Sequence, residues 1–265
     1  MRKMLFAYCI LLVSAFGTTN SNSVAHLISK KQYEKMFAHH NAIFTYEAFT
    51  GACKAFPAFC GEGDDKTRKR ELAAFFANAS QETTGGWKDA PGGREVWGLV
   101  YTEEQSCKDG HCTQYNISGT SDYKPAPGKS YHGRGPLQIS YTYNYGLAGD
   151  ELQLPLLDKP ELVSTNGVIS FKTAIWFWMK AQGAKPSCHD VMTGKWQPND
   201  KDKEQHREPG FGMTINIING GVECSSADPA IVDNKQNRID CYKFYAKVLG
   251  TTVDEHCDCK GMGTY

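Results

Sequence analysis

Ten cysteines in a chain of 265 residues narrow the choice of fold class more than any other feature. Thiols in that number belong either to a disulfide framework in an oxidising compartment or to a metal site. The N-terminus favours the first. Arg2 and Lys3 precede Met4–Phe16, a mostly apolar run too short to cross a bilayer, and Ala15 and Gly17 are small residues suited to cleavage before Thr18. Residues 1–17 therefore read as a secretory signal peptide, residues 18–25 as a short leader, and the protein is expected to be secreted. Cys9 leaves with the signal. The cysteines that remain are Cys53, Cys60, Cys107, Cys112, Cys188, Cys224, Cys241, Cys257 and Cys259, an odd number that leaves one thiol unpaired or intermolecular. No CxxC pair occurs, and only Cys257 and Cys259 lie very close, so no structural zinc is expected.

Charge and composition exclude further classes. Lys plus Arg and Asp plus Glu both number 29, and a balanced chain lacks the cationic face that nucleic-acid binding requires. With 40% hydrophobic residues the chain can bury a core, so it is not a disordered segment. No membrane attachment is expected once the signal is removed.

Helix signals dominate the rest. Ser29-Lys-Lys-Gln32 is a capping-box pattern ahead of Tyr33, Met36 and Phe37. Thr45 is placed to cap a second helix that Pro57 stops. Leu72, Phe75, Phe76 and Ala79 recur at helical spacing and predict a third helix running to Gly85-Gly86. Ile169–Gln182 is apolar nearly all round, which predicts a helix in the middle of the domain. Asp228-Pro229 opens a last helix and Gly250 closes it. Strand signals are weak. Residues 85–135 are rich in glycine and aromatics without a long periodic segment, which suits a binding-loop region whose aromatics stack on sugar rings.

Three stretches could carry chemistry. Glu82 continues the apolar row of Phe75, Phe76 and Ala79 near a helix C-terminus. Burial and the negative dipole end would both raise its pKa, as a general acid requires. The segment 97–104 ends in Glu103-Glu104. Adjacent residues on an extended chain point opposite ways, so one acid faces a cleft, and the residues alone leave open which. In Ser130–Ser140, Gln138 and Ser140 share one face of an extended segment. Its Gly-Arg-Gly lacks the spacing of a phosphate loop, no HExxH occurs among the eight histidines, and no GxSxG is present. No catalytic metal and no cofactor are expected.

The segments Gln-Glu-Thr-Thr-Gly-Gly-Trp (81–87), Lys-Ser-Tyr-His-Gly-Arg-Gly-Pro-Leu-Gln-Ile-Ser (129–140), Phe-Lys-Thr-Ala-Ile-Trp-Phe-Trp-Met (171–179) and Asn-Ile-Ile-Asn-Gly-Gly (216–221) resemble, in order and spacing, the signatures of family 19 chitinases. The likeness extends over roughly residues 26–259 and is greatest to the plant endochitinases. It implies a mainly α, lysozyme-like fold of two lobes around a deep cleft, loop-rich and disulfide-stabilised, with one catalytic domain over residues 26–265. It implies inverting hydrolysis of β-1,4-linked N-acetylglucosamine polymers, with chitin or its oligomers as the partner and a monomeric protein. Glu82 takes the place of the general acid. The family separates acid and base by 22 positions, which selects Glu104 over Glu103 as the base. Ser140 matches the serine that helps hold the attacking water, and Thr84 stands near it. Gln138, Tyr143, Asn144 and Asn219 match sugar-contacting positions, to which Trp97, Tyr123 and Lys185 are added. Glu223 and Arg238 match a charged pair beside the acid.

Departures from the family pattern bear on the loops. Gln81 stands where the family usually has His. Val100 replaces a cysteine whose N-terminal partner is also absent, so one bridge is missing. A local Cys107–Cys112 bridge is expected in place of a longer family bridge in the base-bearing loop, Cys224–Cys259 matches the C-terminal bridge, and Cys53–Cys60 is expected as a local pair. Cys188, Cys241 and Cys257 are left unassigned. Asn78-Ala-Ser and Asn116-Ile-Ser match the glycosylation sequon. The competing readings are a non-catalytic glycan-binding protein on the same fold, a lysozyme-like peptidoglycan hydrolase, and a protein dimerised through its odd cysteine.

Overall fold

The computed structural model describes residues 24–109, 112–119 and 121–265. The signal-peptide assignment lies outside these residues, as does the leader up to residue 23. Val24 already belongs to the folded body: it is buried and opens a 3₁₀ turn, Val24–His26.

Ten α-helices are present among the described residues. The helix α1 (Lys30–Met36) starts at Ser29 with a complete capping box to Gln32, and α2 (Tyr46–Cys53) starts at Thr45, whose hydroxyl accepts from the Ala48 amide. Asp64 caps α3 (Asp65–Thr83) by accepting from Thr67. This helix begins well before its apolar repeat, because a side-chain cap can start a helix whose first turns carry only polar residues. It ends two residues short of Gly85, and the amides of Thr84 and Gly85 both return to the Ser80 carbonyl. After a long stretch in which the described residues form no α-helix come α4 (Thr142–Leu152), α5 (Leu162–Thr165) and α6 (Gly167–Met179). Then follow α7 (Cys188–Met192), α8 (Asp200–Glu204), α9 (Phe211–Glu223) and α10 (Pro229–Leu249). Pro229 sits in the first turn of α10, and left-handed Gly250 closes it.

Two apolar cores give the molecule two lobes. The larger gathers α1, α2, α3, α9 and α10 around Tyr33, Phe49, Phe75, Phe76, Trp178 and Tyr245. The smaller packs Tyr131, Ile139, Tyr145, Leu156 and Val163 against Trp176. The helix α6 belongs to both, since Phe171, Ile175 and Trp178 face the larger core and Trp176 faces the smaller. That double duty explains its all-round apolar sequence.

The Cys53–Cys60 pair expected from sequence is corrected here, for both remain thiols, as do Cys188, Cys241 and Cys257. The Cys60 amide donates to the Glu71 carboxylate at 3.0 Å, which turns that stretch of backbone toward α3. Burial raises the pKa of both thiols and leaves them inert. Cys107–Cys112 and Cys224–Cys259 are bonded. The Asn78 sequon is closed, because its side chain is fully buried and bonded to Thr214 and Ala74.

Glu71 is itself a buried carboxylate. It accepts from Trp178 Nε1 at 3.1 Å and lies 2.7 Å from His189 Nδ1, whose other ring nitrogen reaches Glu62 at 3.1 Å. Burial alone would lower the His189 pKa, but the bonds to Glu71 and Glu62 outweigh it and the net shift is upward. His189→Ala should cost about 3–5 kcal/mol in chemical denaturation, because it strands a buried acid. The stability owed to the charged imidazole is fully present below its unfolded value of about 6.5 and declines as pH rises through the raised folded value. The gap between wild type and variant should therefore narrow from pH 6 to pH 9.

Candidate active site

The cleft runs between the two cores. One cavity of about 640 Å³ is lined by Glu82, Tyr101, Glu103, Glu104, Gln138, Ser140, Asn219 and neighbours. A second, of about 320 Å³, shares Glu82, Gln138, Ser140 and Asn219, and adds Tyr143, Asn144, Phe177 and Lys185. Volumes of this order suit a few sugar units, and the walls carry convergent polar groups.

Glu82 stands one residue from the end of α3, with its side chain 19% exposed. Arg238 Nη2 donates to its Oε1 at 2.5 Å. The same guanidinium binds Glu223 through Nε at 3.0 Å and through Nη2 at 2.7 Å, and Asn78 Oδ1 through Nη1 at 3.2 Å. The apolar row had placed Glu82 against hydrophobic packing, but the structure gives it an ion pair at the cleft. Burial alone would lower the Arg238 pKa. The two carboxylates overcome this and raise it, so the cation is permanent.

The second acidic motif reaches the cleft because Gly98 lets its chain lie on α3. A Cβ there would come within 2.1 Å of Ser80 Oγ. Beyond it, Glu103 pairs with Arg134 in an isolated antiparallel bridge, and the Glu104 amide donates to Gly133 at 2.8 Å. Both acids line the cavity, with different partners. The Glu103 carboxylate lies 3.1 Å from His132 Nε2 and 3.5 Å from Arg134 Nε. Glu104 Oε1 accepts from Ser106 Oγ at 3.0 Å and from Tyr115 OH at 3.2 Å.

Ser140 lies between two residues of left-handed backbone, Gln138 (φ 46°) and Tyr141 (φ 72°). Such conformations cost free energy in non-glycine residues and concentrate at functional sites. Gln138 Nε2 donates to the Gly135 carbonyl, and Asn144 Nδ2 to that of Ser140. Asn219 has non-helical φ/ψ of −140° and 26° inside α9, and its amide donates to Glu223 Oε1 at 2.8 Å. The Lys185 ammonium donates to the Ile217 carbonyl, and burial lowers its pKa.

Three of the anticipated residues are engaged elsewhere. Thr84 caps α3 and its hydroxyl donates to the Thr83 carbonyl. Trp97 stacks on His39 at 3.7 Å and meets Trp87 at 4.6 Å. Tyr123 donates to Asp150 Oδ2 and lies flat on Gly146, where a Cβ would come within 2.3 Å of the ring. Neither cavity is lined by these three. Beyond the two-residue step from Glu104 to Ser106, the sequence gives no sign of Ser106 and Tyr115 as partners of Glu104, or of Asn78 as a partner of Arg238.

Arg238→Ala should destabilise the fold by about 3–5 kcal/mol in urea unfolding, since it leaves Glu82 and Glu223 without their common cation.

Comparison with known proteins identifies the family. The family described as chitinase class I, glycoside hydrolase family 19, matches residues 26–259. An endochitinase of Nicotiana tabacum is 46% identical over 93% of this chain and 73% of its own length. An acidic endochitinase of Populus trichocarpa is 48% identical over 89% of this chain and 69% of its own. An inactive chitinase-like protein of Hevea brasiliensis is 46% identical over 92% and 77%. Among solved structures, chitinase C of Streptomyces griseus superposes with a TM-score of 0.70 at 33% identity, covering 88% of this chain and 80% of that one. A family match along nearly the whole folded body, together with relatives of 46–48% identity, places this chain in glycoside hydrolase family 19.

Proposed function

We propose that the protein is a secreted endochitinase that hydrolyses β-1,4-linked N-acetylglucosamine chains by single displacement, with inversion at the anomeric carbon. The observation that carries this is the placement of Glu82 and Glu104 on one cavity wall system with Ser140 and Gln138. Glu82 is the general acid. Its Oε1 is occupied by Arg238, so the transferable proton belongs on Oε2, from which it passes to the glycosidic oxygen as the bond to the anomeric carbon breaks. Glu104 is the base that takes a proton from water attacking that carbon on the opposite face. Ser140 helps hold this water. Gln138, Tyr143, Asn144, Lys185 and Asn219 hold the sugar chain, and positioning contributes much of the rate gain. The endochitinase names of the Nicotiana and Populus relatives support the choice of substrate.

A second reading has one specific support, the inactive Hevea relative at 46% identity. It makes the protein a chitin binder without turnover. Proton NMR of chitin hexamer hydrolysis separates the two: fresh α-anomers are expected from an inverting enzyme, whereas binding without cleavage would select the second reading.

Glu82→Gln should retain the fold and lose nearly all hydrolysis, because an amide N–H is far too weak an acid to protonate the leaving oxygen. Glu104→Gln should be similarly impaired and Glu103→Gln mild. Initial rates on the hexamer check all three, and an essential Glu103 would reverse the assignment of the base.

A further inference from the structure

The base has an unusual pair of partners, and the role of that pair goes beyond the assignment of Glu104 itself. Ser106 Oγ and Tyr115 OH both reach one carboxylate oxygen, Oε1, at 3.0 and 3.2 Å. Among the described residues these are the hydrogen bonds of the Glu104 carboxylate, and both fall on the same side. Two donors on Oε1 fix the rotation of the carboxylate about its last side-chain bond. They leave Oε2 as the basic oxygen for water.

Tyr115 is set in place independently of Glu104. Its ring meets the Tyr141 ring edge-on, with centroids 5.3 Å apart. Tyr141 in turn has left-handed backbone, donates its amide to the Tyr131 carbonyl at 2.8 Å and stacks on Tyr143. The Cys107–Cys112 bridge ties the residue after Ser106 to a residue three before Tyr115, so the two donors flank one short disulfide-tied turn. Burial, followed by the bond to Glu104, raises the Tyr115 phenol to about 12. The phenol therefore keeps its proton, and its place as a donor, through the neutral range.

We propose that Tyr115, assisted by Ser106, is a positioning residue for catalysis, orienting the Glu104 carboxylate so that Oε2 alone meets the attacking water. This rests on Glu104 being the base. A donor lost from a carboxylate makes it rotate more freely and take up a proton more readily, so activity on the acid side is lost at a higher pH. The titratable neighbours, Glu103 beside Glu104 in the chain and His132 and Arg134 on the facing segment, and the ring of Tyr141 are left unchanged by a substitution at 115.

The test is Tyr115→Phe, which removes one hydroxyl and keeps the ring on Tyr141, measured on chitin hexamer beside wild type, Ser106→Ala and Glu104→Gln. Tyr115→Phe should lower kcat roughly ten- to a hundredfold, the range expected for a hydrogen bond to a charged group. KM should stay within about twofold, and the acid limb of the kcat profile should move toward neutral pH. Ser106→Ala, at an exposed position, should move both in the same direction by less. If Tyr115→Phe and Ser106→Ala keep wild-type kcat and acid limb while Glu104→Gln is inactive, the positioning role is wrong and the base stands. A slow Tyr115→Phe with raised KM and an unmoved acid limb would reduce Tyr115 to a structural residue and overturn the proposal. Full activity in Glu104→Gln would overturn the base and this inference together.

Discussion

The guanidinium of Arg238 is the interaction on which the site depends. It is 1% exposed and comes from α10, yet its nitrogens bind Glu223 on α9 and both Asn78 and Glu82 on α3. One buried cation thus sets the spacing of three helices by the requirement that every polar group removed from water find a partner. Glu223 Oε1 also accepts from Asn219, so the network extends from the core to the cleft wall. A charge-centred network of this kind is a weak source of net stability and a strong constraint on geometry. Its value here is that Glu82 emerges from the core in one orientation.

The two acids are held by different physics. Glu82 ends a long helix and is anchored by a full charge from beneath. Glu104 sits on irregular chain, fixed by a short bridge to residues 133–135 and by hydroxyl donors on either side of a disulfide. Across the site, Gln138 and Tyr141 carry left-handed backbone on either side of Ser140. The wall opposite the helix is therefore built from strained loop geometry. The aromatic packing of Tyr115, Tyr141 and Tyr143 offsets part of its cost.

Much of this was legible in the chain. Helix starts were, because a cap is a local hydrogen bond between a side chain and amides two or three residues on. Ser29, Thr45 and Asp228 all behave as their patterns predict. The central helix was also legible, although it starts at Gly167 under the Asn166 cap and ends at Met179. The helix α9 was not recognised as a helix, since its sequence was read only as a motif. The partners of the acids were hidden for another reason. Arg238 lies 156 residues from Glu82, and no local pattern encodes such a contact. Cys53–Cys60 failed because closeness in sequence does not choose a thiol's direction. The Glu71 carboxylate, eleven residues on, takes the Cys60 amide instead.

By itself the sequence determined the helical class, the position of several caps and the family signatures, from which Glu82 and Glu104 are proposed as acid and base. These follow from side-chain periodicity and from hydrogen bonds that span a few residues. Only the tertiary structure decided that Glu82 is met by Arg238, that Glu103 turns to His132 and Arg134 while Glu104 meets Ser106 and Tyr115, and that Thr84, Trp97 and Tyr123 are engaged away from the two cavities. Those outcomes depend on which distant groups share a buried volume. Such sharing is settled by packing two cores against one helix, and no segment of the chain specifies it alone.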